Sequence, residues 1–121
     1  MTPHSNLLIL GSLACLASCG SPVTVCPAIL MPAVAATIKD ARTGSDATLG
    51  AVLILRSTAC SDSVVGTVAG ESLAGCYGTP GTYDVMVHKQ GYQEWSMSGI
   101  VVRKICTAET VRLTVELQPA P

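Results

Sequence analysis

Aromatic side chains are scarce in this 121-residue chain, which contains no Phe, one Trp and three Tyr. Its hydrophobic core must therefore be assembled mainly from Val, Leu, Ile and Ala. A small domain buries a smaller share of its surface than a large one, and small aliphatic side chains contribute less buried area than rings. We expect covalent cross-links to supply part of the stability.

The chain also lacks an excess of charge of either sign. Seven Lys and Arg residues are balanced by eight Asp and Glu residues, which gives a formal net charge of −1. Proteins that bind nucleic acids usually present a basic patch, often interleaved with aromatic side chains, and this sequence has neither. The composition argues against a nucleic-acid partner.

The longest hydrophobic run, from Leu7 to Cys19, is too short to span a membrane. It contains about a dozen apolar and small residues, whereas a spanning helix needs roughly 20. A run of this length near the N-terminus is typical of the core of a signal peptide. The residues before it depart from that pattern, because they include no Lys or Arg.

The end of this run, Leu16-Ala17-Ser18-Cys19-Gly20, resembles the lipobox of bacterial lipoproteins. In that family a cysteine after small residues is diacylated on sulfur and becomes the new N-terminus, so the resemblance implies a lipid anchor on Cys19. Cys15 matches less well because Ser12-Leu13-Ala14 precedes it. Two alternatives are a secreted protein in which Cys19 is an ordinary cysteine, and an uncleaved N-terminus in the cytoplasm.

Cleavage before Cys19 would remove the first of three segments that we distinguish in the chain. Residues 1–18 form the signal peptide, residues 19–32 form a lipidated tether, and residues 33–121 form one small domain. The tether contains Pro22, Pro27 and Pro32, and proline favours an extended chain that joins no sheet.

Four cysteines remain outside the leader and the lipidation site: Cys26, Cys60, Cys76 and Cys106. An even number in a chain exported to an oxidising compartment predicts two disulfides, although four cysteines allow three pairings. A hairpin between Cys60 and Cys76 would bring their Cα atoms near the roughly 5.5 Å that a disulfide requires. This geometry favours Cys60–Cys76 and leaves Cys26 with Cys106.

The spacing of the cysteines does not fit a metal or redox centre. Zinc sites and redox motifs usually present close pairs such as C-x-x-C, and the sequence contains none. His88 is the only histidine after the leader. We therefore expect no metal and no other cofactor.

Alternation of apolar and polar residues, the period of a half-buried strand, recurs along the domain. The segments that show it most clearly are Tyr83–His88, between two glycine-containing turns, and Val111–Leu117. Weaker strand patterns occupy residues 34–39, 50–56 and 92–103, the last with an expected bulge at Gly99, and one or two short edge strands are expected between Cys60 and Cys76. The sequence predicts an all-β fold, an antiparallel β-sandwich of six or seven strands.

Four segments resemble the carboxypeptidase regulatory-like domains. They are Thr37–Gly44 with a D-x-x-T-G turn, Leu49–Leu55 with a G-A-x-V strand, Gly81–Tyr92 with a G-x-Y-x-V-x-V strand and a G-Y turn, and Val111–Leu117. The resemblance implies a transthyretin-like sandwich of about seven strands that acts as a folding, spacing or interaction module. The family has no catalytic residues to transfer.

Together these features predict a lipid-anchored, non-catalytic structural or binding module of the bacterial cell envelope. By the sorting rule of bacterial lipoproteins, Gly20 after the lipidated cysteine implies the outer membrane, facing the periplasm. The anchor makes the membrane one partner, and an envelope protein or a glycan is a candidate for the other. Trp95, Tyr92 and Tyr77, with an open sheet edge, are candidate contacts, although Trp95 is more simply a core or rim residue.

A secreted hydrolase is the competing hypothesis. His88 together with Ser96, Ser98 or Asp84 supplies the residue types of a nucleophile, a base and an orienting group. His88, however, falls on the polar face of its predicted strand, where a solvated side chain is common, and the acidic residues are scattered singly. We expect the protein not to be an enzyme.

Overall fold

The described part of the chain consists of seven β-strands. The computed structural model describes residue 26, residues 29–104 and residues 106–121. The strands are β1 (Val34–Asp40), β2 (Val52–Arg56), β3 (Ser61–Val65), β4 (Leu73–Gly75), β5 (Gly81–His88), β6 (Trp95–Val102) and β7 (Val111–Leu117). The predicted all-β fold is confirmed. The predicted leader and Cys19 lie outside the described residues, and no helix among those described could cross a membrane.

The strands form two sheets packed face to face. One has three strands in the order β4-β1-β7, and the other has four in the order β3-β2-β5-β6. Neighbouring strands are antiparallel except β1 and β7, which run parallel from Val34 opposite Val111 to Asp40 opposite Leu117. The first and last strands therefore begin side by side at the same end of the sandwich.

This shared starting point defines the two ends of the molecule. We call it the proximal end; it contains the starts of β1, β3, β5 and β7 and the ends of β2, β4 and β6. The opposite, distal end contains the turn after β1, the loop between β3 and β4 and the turn between β5 and β6. Residue 26 is joined to the proximal end by its disulfide to Cys106, in the loop between β6 and β7.

The core follows the predicted alternation. On β5, Tyr83, Val85 and Val87 are fully buried, whereas Asp84 and His88 are exposed on the outer face. The Tyr83 hydroxyl donates a hydrogen bond of 2.6 Å to the carbonyl oxygen of Thr79, so the ring fills the aliphatic core while its polar atom is satisfied.

The expected bulge at Gly99 is also confirmed. The pairing of β5 with β6 shifts between Tyr83 and Val85, so that Ser98 and Gly99 together lie opposite Asp84. Gly99 has φ +74°, a left-handed conformation that glycine adopts without steric cost.

Both favoured disulfides are present, but the hairpin that suggested one of them is wrong. The Cα atoms of Cys60 and Cys76 are 6.0 Å apart, and those of Cys26 and Cys106 are 5.2 Å apart. The strands between Cys60 and Cys76 do not pair with each other, because β3 pairs with β2 and β4 pairs with β1. The Cys60–Cys76 disulfide therefore joins the two sheets across one open side of the sandwich.

Candidate functional site

A shallow polar recess lies on the outer face of the four-stranded sheet, near the proximal end. Its volume is about 300 Å³, and it is lined by Arg56, Ser57, Thr58, Thr82 and Asp84. These residues come from the end of β2, the turn after it and the first half of β5. Strands distant in sequence thus bring two opposite charges and three hydroxyl groups together.

The pairing of β2 with β5 determines which side chains line the recess. Arg56 lies directly opposite Asp84, and residues that are opposite each other in a sheet project from the same face. Leu55, Tyr83 and Val85 occupy the inner face and are fully buried, so their neighbours in sequence must face solvent.

A tight turn, formed by residues 57–60, borders the recess on its proximal side. The Ser57 hydroxyl accepts hydrogen bonds from the backbone N–H groups of Ala59, at 3.3 Å, and Cys60, at 3.1 Å. The backbone N–H of Ser57 in turn donates to the carbonyl oxygen of Cys60 at 2.8 Å. This local hydrogen bonding fixes the position of Thr58, whose side chain is exposed.

The charged groups of the recess are directed to solvent. Within the part of the chain that the structure describes, neither Arg56 nor Asp84 makes an ion pair or a side-chain hydrogen bond. A guanidinium offers five N–H donors in a plane, a carboxylate offers two acceptor oxygens, and hydroxyl groups do both. The recess can therefore bind a small ligand that presents several neighbouring hydroxyl groups.

A smaller cavity of about 160 Å³ lies where β6 approaches β7. It is lined by Val101, Arg103, Glu109, Thr110 and Val111. The backbone N–H of Glu109 donates to the carbonyl oxygen of Arg103 at 2.8 Å, which closes the loop across this cavity. It offers fewer polar groups than the recess and is the weaker candidate.

The three aromatic residues predicted as partner contacts do not share a surface. Tyr77 follows β4 at the proximal end and is 54% exposed. Trp95 begins β6 at the distal end, opposite Val87, and packs against the core while half-buried. Tyr92 is close to Trp95 in sequence, but its hydroxyl already donates a hydrogen bond to Asp40.

Tyr92 belongs to a hydrogen-bonded turn at the distal end. Its hydroxyl donates to Asp40 Oδ2 at 2.7 Å, and Asp40 Oδ1 accepts from the backbone N–H groups of Arg42 and Thr43 at 2.7 and 3.0 Å. The hydrogen bond from Tyr92 is the main cause that lowers the pKa of Asp40, and the Asp40 carboxylate raises the pKa of Tyr92. Lys89 Nζ lies 5.5 Å from the centre of the Tyr92 ring. These contacts hold the turn in place, as its D-x-x-T-G sequence predicts.

The residues of the hydrolase hypothesis lie on one face but are not assembled. Asp84 and His88 are four residues apart on the same face of β5, or about 13 Å at roughly 3.3 Å per residue. Ser96 lies opposite Met86 rather than His88, and no hydrogen bond links His88 to a serine among the described residues. The arrangement lacks the contact that a nucleophile and its base require.

The structure also bears on metal binding. Over the described residues, no three His, Cys, Asp or Glu side chains come close enough together to hold a metal ion. The four described cysteines, Cys26, Cys60, Cys76 and Cys106, are all in disulfides.

The recess itself was not predicted from the sequence. Arg56 is the last residue of an apolar strand, and Asp84 lies on the polar face of another strand, 28 positions later in the sequence. Locally, the sequence shows only that Arg56 follows a run of apolar residues and that Asp84 alternates with apolar residues, which does not indicate a shared site. Their proximity depends on the register between β2 and β5, which a single sequence does not reveal.

Comparisons with known proteins agree with this architecture. No family model matches the chain, and no curated protein matches it. Among solved structures, it is similar to a "putative carbohydrate binding protein" from Bacteroides uniformis, with 15% sequence identity and a TM-score of 0.52. The match covers 74% of this chain and 43% of the other, so the chain spans less than half of that protein's length. At this level of identity, the likeness shows a shared β-sandwich fold.

Proposed function

We propose that this protein is a non-catalytic binding module that a lipid on Cys19 anchors in the bacterial envelope, and that its recess binds a glycan. The observation that carries the glycan assignment is the position of Arg56 opposite Asp84, beside the hydroxyl groups of Thr58 and Thr82. Charged groups that bond to sugar hydroxyls make stronger hydrogen bonds than neutral groups do.

Two further observations support the proposal. The similar Bacteroides uniformis structure is that of a "putative carbohydrate binding protein". The turn of residues 40–44 has the hydrogen bonds that its D-x-x-T-G sequence suggests, which supports the proposed resemblance to the carboxypeptidase regulatory-like domains, a family of interaction modules. A binding role requires no group beyond those the recess already presents.

The glycan assignment is tested by probing the purified protein on an array of bacterial, plant and animal oligosaccharides, followed by calorimetric titration of the best binder. Arg56→Ala and Asp84→Asn are expected to weaken binding about tenfold or more, because a hydrogen bond to a charged group contributes roughly 1.5–3 kcal/mol. Arg112→Ala and Glu116→Gln are the matched controls, since both are exposed on β7 of the other sheet. No binding on the array, or equal binding by recess and control variants, would refute the assignment.

The anchor is tested by the intact mass of the protein recovered from bacterial membranes. We expect the mass of residues 19–121 plus a diacylglycerol, with or without a third acyl chain. Separation of inner and outer membranes then tests the expected outer-membrane address. A full-length mass, or a mature mass without acyl chains, would contradict the anchor while leaving the glycan assignment open.

A further inference from the structure

An exposed apolar surface lies at the proximal end, beside the point where the tether meets the sandwich. It consists of Ile29, Leu30, Met31 and Tyr77, which are 69%, 62%, 38% and 54% exposed. We call these four residues the proximal patch. Three consecutive large apolar side chains and an exposed tyrosine are unusual on a small soluble domain and indicate a surface that something covers.

Hydrogen bonds to the domain hold the patch in place. The backbone N–H of Gly78 donates to the carbonyl oxygen of Met31 at 2.8 Å, and the Thr110 hydroxyl donates to the carbonyl oxygen of Pro32 at 2.6 Å. The Leu30 side chain lies against Gly78, where an added Cβ would come within 2.8 Å of it. The patch is thus a built part of the sandwich and shares one end with both disulfides.

The length of the tether limits how far this end can be from an anchored lipid. Cys26 lies seven positions after Cys19, and a fully extended chain covers at most about 3.6 Å per residue, or roughly 25 Å. The disulfide from Cys26 to Cys106 then ties the tether to the proximal end. A lipid on Cys19 therefore keeps Cys26 within roughly 25 Å of the bilayer, and Ile29 of the patch follows Cys26 by three positions, or at most about 11 Å, whereas the distal end is free to point away.

The distribution of charge favours the same orientation. By strand register, the proximal half holds four of the seven Lys and Arg residues and three of the eight Asp and Glu residues. The four cations are Arg56, Arg103, Lys104 and Arg112. Bacterial membranes contain anionic lipids, which attract basic residues close to the surface.

We infer that the proximal patch rests on the phospholipid surface that holds the anchor, with Tyr77 at the level of the headgroups. This inference depends on the proposed lipidation of Cys19. An exposed tyrosine suits this position because its ring is apolar and its hydroxyl is polar. The sandwich then stands with β1 and β7 starting at the membrane and the recess facing sideways, close to the lipid surface.

Methionine oxidation tests the orientation with an internal control. Met31 lies in the patch and Met97 lies on β6, and their exposures of 38% and 45% are similar. The lipidated protein is incorporated into vesicles of phosphatidylethanolamine with a minor fraction of phosphatidylglycerol and treated with hydrogen peroxide. Peptide mass spectrometry then gives the ratio of Met31 to Met97 oxidation.

The reference without a membrane is the full mature chain secreted in soluble form with Cys19→Ser. We expect the oxidation ratio to be several-fold lower for the anchored protein than for this reference. Ile29→Glu combined with Leu30→Glu should restore the ratio while the protein stays anchored, because charged side chains leave the lipid interface. Leu49→Glu combined with Val68→Glu, at two exposed apolar positions of the distal end, should leave the protection of Met31 intact.

The outcomes separate the two proposals. An unchanged ratio in protein whose mass includes the acyl chains would overturn the orientation alone. Equal loss of protection in the proximal and distal glutamate variants would also overturn it, because the protection would then reflect general stability. A mass without acyl chains would overturn the anchor and the orientation with it.

Discussion

Asp40 and Tyr92 join the turn after β1 to the turn after β5 through one hydrogen bond of 2.7 Å. Because the pKa of Asp40 is lowered from 3.8, its contribution is present above that pH and is lost as the pH falls through the folded-state pKa. The pKa of Tyr92 is raised from 10.0, so its contribution is present below that pH and is lost as the pH rises through the folded-state pKa. Tyr92→Phe should lower the Tm by a few degrees at neutral pH. It should also make the Tm fall less steeply towards both acidic and alkaline pH.

Thermal unfolding monitored by circular dichroism across the pH range measures this effect. Asp40→Asn is the companion variant, because it removes the titrating carboxyl and should flatten the acidic decline more than Tyr92→Phe does. Parallel Tm curves for the wild type and Tyr92→Phe would show that the hydrogen bond does not contribute to the pH dependence.

Asp62 is another single residue with a structural role, because it holds the backbone of Cys76. Its Oδ2 accepts a hydrogen bond of 3.0 Å from the backbone N–H of Cys76, a buried residue with φ +52°. Asp62→Ala should lower the free energy of unfolding by about 1–3 kcal/mol, because it leaves this N–H unpaired. Urea unfolding measures the loss, and Asp84→Ala, at an exposed acidic position, should change stability by less than about 0.5 kcal/mol. Equal effects of the two substitutions would contradict this role.

The residues best predicted from the sequence are those whose role is set by their immediate neighbours. Tyr83 is buried because it occupies an apolar position in a period of two, and Asp40 accepts turn amides because it begins an Asx turn. Arg56 and Asp84 were not brought together, since only the register between two distant strands makes them neighbours.

Among the elements, β6 depends on its bulge. Gly99 has φ +74°, and nothing lies within 4 Å of the position that a Cβ would take. The cost of Gly99→Ala is therefore expected to come from the backbone alone, at about 1–2 kcal/mol for a left-handed residue with a side chain. Ser98→Ala, at the other bulge position, is the control and should be nearly neutral. Chemical denaturation of both variants tests this, and a neutral Gly99→Ala would mean that the bulge relaxes into another register.

β3 shows why its region was hard to interpret. Asp62 faces inward and Val65 outward, with Val65 54% exposed, whereas Val64 packs against the core, so two of its five residues break the alternation of a half-buried strand. An inward carboxylate on an edge strand discourages pairing with other chains. These two exceptions weaken the hydrophobic pattern, so the sequence predicted only one or two short edge strands here, whereas β5 and β7 were predicted nearly to the residue.

The sandwich is closed by contacts between its first and last strands. β1 and β7 lie side by side over their full lengths, and both disulfides secure the end at which they begin. The sequence predicted the two bonds because four cysteines in an exported chain are expected to pair, but it could not show that they share one end of the sandwich. That placement gives the domain a reinforced proximal end and leaves turns held by hydrogen bonds at the distal end.

The two disulfides should contribute unequally to stability, with the larger contribution from the bond that closes the longer loop. They join residues 80 and 16 positions apart, and the chain-entropy model gives about 4.5 and about 3 kcal/mol for loops of these sizes. In Cys60→Ala/Cys76→Ala only the longer loop stays closed, and its reduction should lower the free energy of unfolding by the larger amount. In Cys26→Ala/Cys106→Ala, reduction of the remaining bond should cost the smaller amount. Because each comparison is between the oxidised and reduced forms of one variant, the packing lost at the buried Cys76 cancels. A larger loss on reduction of Cys60–Cys76 than of Cys26–Cys106 would show that loop length does not govern these contributions.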